Sequence, residues 1–370
     1  MLLLIALANV HVYVYGQPTG VRGYPRDLTT VERVVAAVQL VLVDGRAYPL
    51  FGLLFGYGII QLARRRSAVG MPAPTVKRLV RRRGWWMLAI GFVHATLLWA
   101  GDIVGLYGLI AVLLVGLFVT GSDRALLVTT GISLLFAGLL GLVIELTPPE
   151  QTASLASMTI VDPAGAVLTR VFEWLALTLT FGLGVFGAVA LGAWAARRTF
   201  LDEPQRHRRL LARVAVIGLA TAVLGGLPLA LIAADVWRAP FGLGLAAGFL
   251  HAVSGYAGGI GYAALFGLLA VRLAGHGKVG PVTAALQACG QRSLSCYLAQ
   301  SVAFVALLPA WTFGLGEQIG LWQAALIGLS AWAVILVVAA VSAHAGYRGP
   351  AETLLRRLTY GPRRTHTAAA

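Results

Sequence analysis

Arg81 to Phe118 reads RRRGWWMLAIGFVHATLLWAGDIVGLYGLIAVLLVGLF. Three arginines lead into one apolar run, and a second apolar run follows after only Gly101 and Asp102. Such a stretch reads as a transmembrane helical hairpin, with the arginines anchoring it at one membrane face and Gly101-Asp102 turning the chain at the other. His94 and Asp102 lie close to that turn, and ionisable groups at membrane depth are costly enough to need a partner or a task.

Working outward, the composition extends this reading to the whole chain. Of 370 residues, 58% are hydrophobic and only 12% charged, with a mean hydropathy of +0.81, far above an ordinary soluble domain. The fold class expected is therefore all-α, a polytopic transmembrane bundle. The formal charge of +15 raises the question of nucleic acid. Its arginines, however, sit in short bursts between apolar runs instead of covering an aromatic-studded surface, which makes them topology signals and argues against a nucleic-acid partner.

Ten helical spans are expected: Leu2 to Tyr15, Val41 to Leu62, Gly84 to Ala100, Ile103 to Thr120, Ala125 to Leu146, Val171 to Ala195, Leu211 to Ala234, Phe241 to Val271, Ser293 to Leu308 and Leu321 to Ala343. The link Arg64 to Arg83 carries eight Lys/Arg and no acid, and Arg197 to Arg213 carries six against Asp202 and Glu203. Counting ten spans puts both links, the basic tail and both termini in the cytoplasm. The links Leu146 to Arg170 and Pro309 to Gly320 then fall outside. One membrane domain over 1–345 is expected, with 346–370 as a basic tail of the same domain. Within that tail Leu354, Leu355 and Leu358 alternate with Arg356 and Arg357, as in an amphipathic helix resting on anionic inner-leaflet lipid. The bilayer and those lipids are the partners the sequence implies.

Two spans have unusual lengths. Leu2 to Tyr15 is only about 21 Å as a helix and has no charged lead, so translation is expected to begin upstream of Met1. Phe241 to Val271 would extend about 46 Å against a hydrocarbon core of about 30 Å, so it must tilt, protrude or break. Gly255, Gly258, Gly259 and Gly261 lie where a break would fall, although close helix packing through Gly255-xxx-Gly259 is the favoured reading of them.

Candidate functional groups come from polar residues at membrane depth. Placed by topology, His11, Asp44, Arg46, His94 and Asp102 gather toward the outer face, with Glu145, Glu173 and Asp235 at helix ends nearby. His94 and Asp102 are about 12 Å apart if measured along one helix axis, so each is expected to find partners on other helices and not to form a direct dyad. In the ninth span Ser293, Tyr297 and Gln300 share one face behind Arg292, a polar stripe that His251 could meet from mid-membrane. Cys289 and Cys296 have no companions at metal-ligand spacing, and no metal site, disulfide or bound cofactor is indicated. No phosphate-binding loop, nucleophile elbow or zinc-protease motif is present.

Asp44 to Gly58 (DGRAYPLFGLLFGYG), Gly91 to Tyr107 (GFVHATLLWAGDIVGLY), Gly290 to Ser301 and Gly349 to Gly361 (GPAETLLRRLTYG) resemble, in order and spacing, the YeiB-like membrane proteins of the domain-of-unknown-function 418 family. The resemblance covers essentially the whole chain. It implies a bacterial inner-membrane protein of about ten helices, without an established biochemical role and distantly similar to membrane acyltransferases that use an acyl-CoA donor; transport has also been suggested. The family's Leu-Asp-x-x-Arg-Gly lead into the first helix is absent here, while Asn9 stands at the family's Asn. Cys296 replaces a common Asn and Thr353 a common Trp. His94, Gly101 and Asp102 keep the pattern.

Two functions follow as expectations. In membrane acyl transfer, acyl-CoA enters as co-substrate by the basic mouth near Arg292, and His94 with Asp102 provides the catalytic base for an acceptor from outside. Asn9, His11, Asp44, Arg46, His251, Arg292, Ser293, Tyr297 and Gln300 are then substrate-binding candidates. In proton-coupled transport, a broken helix and the polar stripe form the binding site while Asp102, Asp44 and His94 gate it. A non-catalytic scaffold is the third alternative.

Overall fold

The computed structural model describes residues 1–144, 151–275 and 280–361. Within them the chain forms α1 (Leu2–Val10), α2 (Thr30–Leu42), α3 (Ala47–Ser67), α4 (Ala73–Leu97), α5 (Ile103–Thr120), α6 (Asp123–Ile144), α7 (Pro163–Arg197), α8 (Arg208–Ala233), α9 (Phe241–Ala274), α10 (Pro281–Gln291), α11 (Ser293–Leu307), α12 (Leu321–His344) and α13 (Pro350–Tyr360). No strand forms among the described residues. Local chemistry sets several boundaries. Thr29 and Glu32 close a capping box at the start of α2, Asp102 and Asp162 cap α5 and α7, and Pro72 and Pro281 sit where a helix can begin without an N–H.

Among the described residues seven segments are long and apolar enough to cross a bilayer: Thr30–Ser67 taken as one 38-residue pass, then α5, Asp123–Leu142 of α6, α7, α8, α9 and α12. The chain is a multi-pass helical membrane protein. The first and ninth expected spans are shorter apolar helices, Leu2–Tyr13 and Ser293–Leu307, and α4 carries Lys77, Arg78 and Arg81 to Arg83 in its first half.

The basic links do share one face. Arg64 lies 3.5 Å from Asp202, Arg197 lies 2.9 Å from Asp123, and the Arg66 guanidinium sits 5.1 Å over the Tyr360 ring. These contacts bring the links after α3, α5 and α7 together with α13. The opposite face is closed by loops that bond to one another: Thr19 N donates to Gln151 O at 2.8 Å, Gly16 N to Thr152 O at 2.9 Å and Tyr15 N to Gly316 O at 3.1 Å.

Two expectations need correction. Of the two readings of the glycine run the break is the one that falls, since α9 is continuous over 34 residues. The break falls in the second pass, between α2 and α3, where Gly45 adopts φ +75°. Sequence periodicity had merged the end of α2 with α3 and missed the thirteen-residue α2. The α9 glycines are what the break packs against: a Cβ on Gly255 would collide with the Gly45 carbonyl, and one on Gly259 would stand 2.7 Å from Leu50 N. Close packing is therefore their role. Secondly, the tail helix α13 is docked as well as amphipathic. Leu355 is buried, and Glu352 accepts from Leu294 N at 2.7 Å and Ser295 N at 3.1 Å, capping the start of α11. Arg363 and Arg364 lie outside the described residues.

Candidate functional site

The hairpin that opened the sequence builds the centre of the site. Helix α4 ends at Leu97, Trp99 N returns to His94 O at 3.1 Å, and Asp102 becomes the N-cap of α5 with its Oδ2 accepting from Gly105 N at 2.5 Å. This reversal brings Asp102 Oδ1 to 2.8 Å from His94 Nδ1. The expectation of separate partners is thus overturned: measuring the gap along a single axis ignored that the helix stops three residues beyond His94. Gly91 lets α4 and α5 approach here, since a Cβ on it would run into Gly105 and Asp102. The dyad is closed off, with side-chain exposure of 2% for His94 and 0% for Asp102.

His94 Nε2 has no hydrogen-bond partner. Its ring centroid is 5.1 Å from that of Tyr297, whose hydroxyl accepts from Ile103 N at 3.4 Å. Of the α11 stripe, then, Tyr297 reaches the dyad. Gln300 instead donates to Leu2 O at 3.2 Å, Ser293 lies at the basic face, and Arg292 is bound to the carbonyls of Tyr347 and Ala288. The stripe serves three different neighbours.

A cavity of about 360 Å³ lies between the dyad and the loops opposite the basic face, lined among others by Asn9, His11, Arg22, Asp44, Tyr48 and Asp102. Asp44 is gripped by both arms of Arg22, Nε at 2.6 Å and Nη2 at 3.0 Å, a geometry that carries planar specificity as well as charge. Arg22 holds the left-handed conformation at φ 55°, and its carbonyl lies 3.4 Å from His11 Nε2. His11 stacks on Tyr24 with centroids 4.4 Å apart; burial pushes the Tyr24 phenol well above its ordinary range, so it is neutral.

Arg46 and His251 stand behind this wall. Arg46 donates to Asp44 O and Ala222 O, both at 2.6 Å, and its Nη1 lies 3.0 Å from His251 Nδ1. His251 therefore meets the α2–α3 break and not the α11 stripe, and Asp44 and Arg46 sit within a pass instead of at its outer start. The remaining helix-end acids are structural: Glu173 accepts from Ser157 N at 3.0 Å, and Asp235 lies 3.3 Å from Arg238. Glu145 is outside the described residues.

Sequence spacing did not reveal Arg22, Tyr48 or Tyr107. The signal for Arg22 was indirect, because a buried Asp44 demands a cation and Arg22 is the nearest in an otherwise unread polar loop. Nor was Arg170 anticipated; it is buried, donates to Thr96 O at 2.8 Å and sits 4.6 Å over the Trp311 ring. Among the described residues no three His, Cys, Asp or Glu side chains come together as a metal site, and Cys289 and Cys296 are free thiols.

A second cavity, about 310 Å³, enters from the basic face between α3, α4 and α5, with Phe51, Phe55, Met87 and Ala111 on its walls. Phe51 and Phe55 stack on Tyr107 at 5.3 and 5.1 Å, and Tyr107 also lines the first cavity. This aromatic stack stands between the two.

Fold and site together define a helical multi-pass membrane protein with one cavity on the face away from its arginine-rich links, walled in part by His11, Arg22, Asp44 and Asp102, and a second cavity on the arginine-rich side. Residues 195–362 match the family model described as "Protein of unknown function (DUF418)". Over 361 aligned residues the chain is 24% identical to the "Uncharacterized protein YxaH" of Bacillus subtilis (strain 168), covering 88% of this chain and 82% of that protein. The two matches support a DUF418, YeiB-like assignment. No solved structure matches it.

Proposed function

We propose that this protein is a bacterial inner-membrane enzyme that transfers an acyl group from a cytosolic acyl-CoA to a hydroxyl or amine on an envelope or exported acceptor. The observation that carries this reading is the pair of cavities, one from each face, meeting at the Phe51–Tyr107–Phe55 stack. A donor from the basic side and an acceptor from the other side need such an arrangement. Asp102 orients His94 through Nδ1, leaving Nε2 as the nitrogen for general-base work. His94 Nε2 takes the acceptor proton, the acceptor oxygen or nitrogen bonds to the thioester carbonyl carbon, the C–S bond breaks, and the proton passes to the leaving thiolate. His94 is buried and does not line the cavity, so the reaction requires that acceptor binding open the wall between them.

A specific observation favours proton-coupled transport as the second reading: a pass broken at Asp44, Gly45 and Arg46 beside His251, the kind of interruption that exposes backbone and charge to a translocated solute. One comparison separates the two. Envelope lipids and glycans from deletion and complemented strains, with isotope-labelled acyl donor, should show a label-bearing product present only with the protein. Proton-linked solute flux in proteoliposomes, with no acylated product, would overturn acyl transfer in favour of transport.

A further inference from the structure

The cavity on the basic face changes its chemistry along its length. Deep in the bundle the slot is walled by Phe51, Phe55, Ile59, Val80, Met87 and Ala111. Toward the surface it shares Leu62, Arg83 and Ser293 with a vestibule of about 470 Å³, whose wall adds Arg65, Arg66 and Arg356. Among the described residues no carboxylate lies at ion-pair distance from Arg65, Arg83 or Arg356. The acid in the vestibule, Glu352, is committed to the backbone at the start of α11. Cations without an internal counter-charge thus gather at the mouth of an apolar channel, a pattern that attracts an anionic head and accepts a chain.

We infer that slot and vestibule together bind a single-chain acyl amphiphile with a phosphate-bearing head, the head among the arginines and the chain directed toward the Phe51–Tyr107–Phe55 stack. The molecule's role as donor rests on the acyl-transfer reading, whereas its binding is tested apart from turnover. The α4 wall from Val80 to Met87 runs about 10 Å, so an acetyl group leaves most of the slot empty and a medium-length chain fills it.

Gly58 supplies a clean test, because it lines the slot and a Cβ there meets nothing within 4 Å. Leucine at this position starts from open space at its Cβ and adds bulk on the wall of the slot. Binding of dodecanoyl-CoA, unacylated CoA, dodecanoyl lysophosphatidylglycerol and two-chain phosphatidylglycerol would be measured with the purified full chain in phosphatidylcholine nanodiscs. At least one of the two single-chain probes should bind. Gly58→Leu should weaken it by about tenfold or more through lost chain burial, at an unchanged melting temperature. Arg83→Gln should weaken the same probe by about tenfold through the head.

Binding of dodecanoyl-CoA alone assigns the head to a thioester carrier, and binding of the lysolipid alone assigns it to a phospholipid; either supports the site. Failure of both, insensitivity to Gly58→Leu, or equal binding of two-chain phosphatidylglycerol overturns it. Slot-sensitive binding without any acylated product would leave the site standing and remove the proposed reaction. A product formed equally well by Gly58→Leu would do the reverse.

Discussion

Two of the places where the molecule buries charge are built on different terms. At the α2–α3 break, Asp44, Arg22, Arg46 and His251 answer one another and the backbone carbonyls of Asp44 and Ala222. At the α4–α5 turn, His94 and Asp102 answer each other and Gly105, yet His94 Nε2 is left unanswered. Leaving a buried nitrogen unpaired costs about 1–3 kcal/mol. The first cluster also leaves one nitrogen, Arg46 Nε, unpaired, but it belongs to a guanidinium already held by Asp44 O, Ala222 O and His251. That cluster is therefore read as architecture that holds a broken helix inside a membrane. His94 Nε2 is the free position of a ring oriented by Asp102, and is read as a group kept ready for chemistry.

The largest expected effect strikes the first cluster. Asp44→Asn leaves Arg22 facing a neutral amide, and their side chains are only 11% and 14% exposed. Removing one partner of such a pair should cost about 3 kcal/mol or more, read as a lower melting temperature and reduced accumulation. The double variant Arg22→Gln with Asp44→Asn should cost clearly less than the sum of the single changes. Equal stability of Asp44→Asn and parent would dissolve the contrast from this side.

The second cluster should respond in activity and not in stability. Glutamine at position 94 keeps a donor and an acceptor but cannot titrate. His94→Gln and Asp102→Asn proteins should accumulate like the parent and lose about 100-fold in whatever product the deletion strain lacks. Loss of accumulation in both variants would move this dyad into the architectural class, and full activity in both would shift the search to the groups lining the cavity.

How much of this was legible in the sequence depended on whether the cause was local. Arg81 to Phe118 announced its hairpin because apolar length and arginine placement are properties of the stretch itself, and the shared face of the arginine-rich links follows from the same rule. The break was misplaced for the converse reason. Glycine content pointed to Gly255 and Gly259 in α9, but glycine permits a break without causing one. What decides is the partner: α9 stays regular and gives up side chains so that Gly45 and Leu50 of another helix can fit against it. His94 and Asp102 were expected to stand apart, yet they meet, because where α4 stops is set by the fold-back at Leu98 to Gly101. His251 was paired with the wrong helix, since nothing in a sequence states which helices are adjacent.

The glycine argument predicts a contrast within one helix. Gly255→Ala should cost about 1–3 kcal/mol, because its methyl group meets the Gly45 carbonyl and the break has to move. Gly244→Ala, in the same helix with open space around it, should change stability by no more than about 0.5 kcal/mol or raise it slightly. Melting temperatures of the two variants in one detergent decide the matter. Equal losses would mean that α9 needs its glycines for its own backbone and not for the neighbouring pass.

The smallest effect separates the two histidines. His251 is fully buried and presents its ring to the Arg46 guanidinium, an acceptor's role that does not require a change of protonation. The amide oxygen of glutamine can take the same hydrogen bond. His251→Gln should therefore lose less than about 1 kcal/mol and keep both activity and its pH profile, while His251→Leu strands one guanidinium donor and should cost about 1–3 kcal/mol. If His251→Gln instead abolished activity at normal abundance, the histidine would be handling protons, the two buried clusters would be parts of one pathway, and the transport reading would gain the observation it needs.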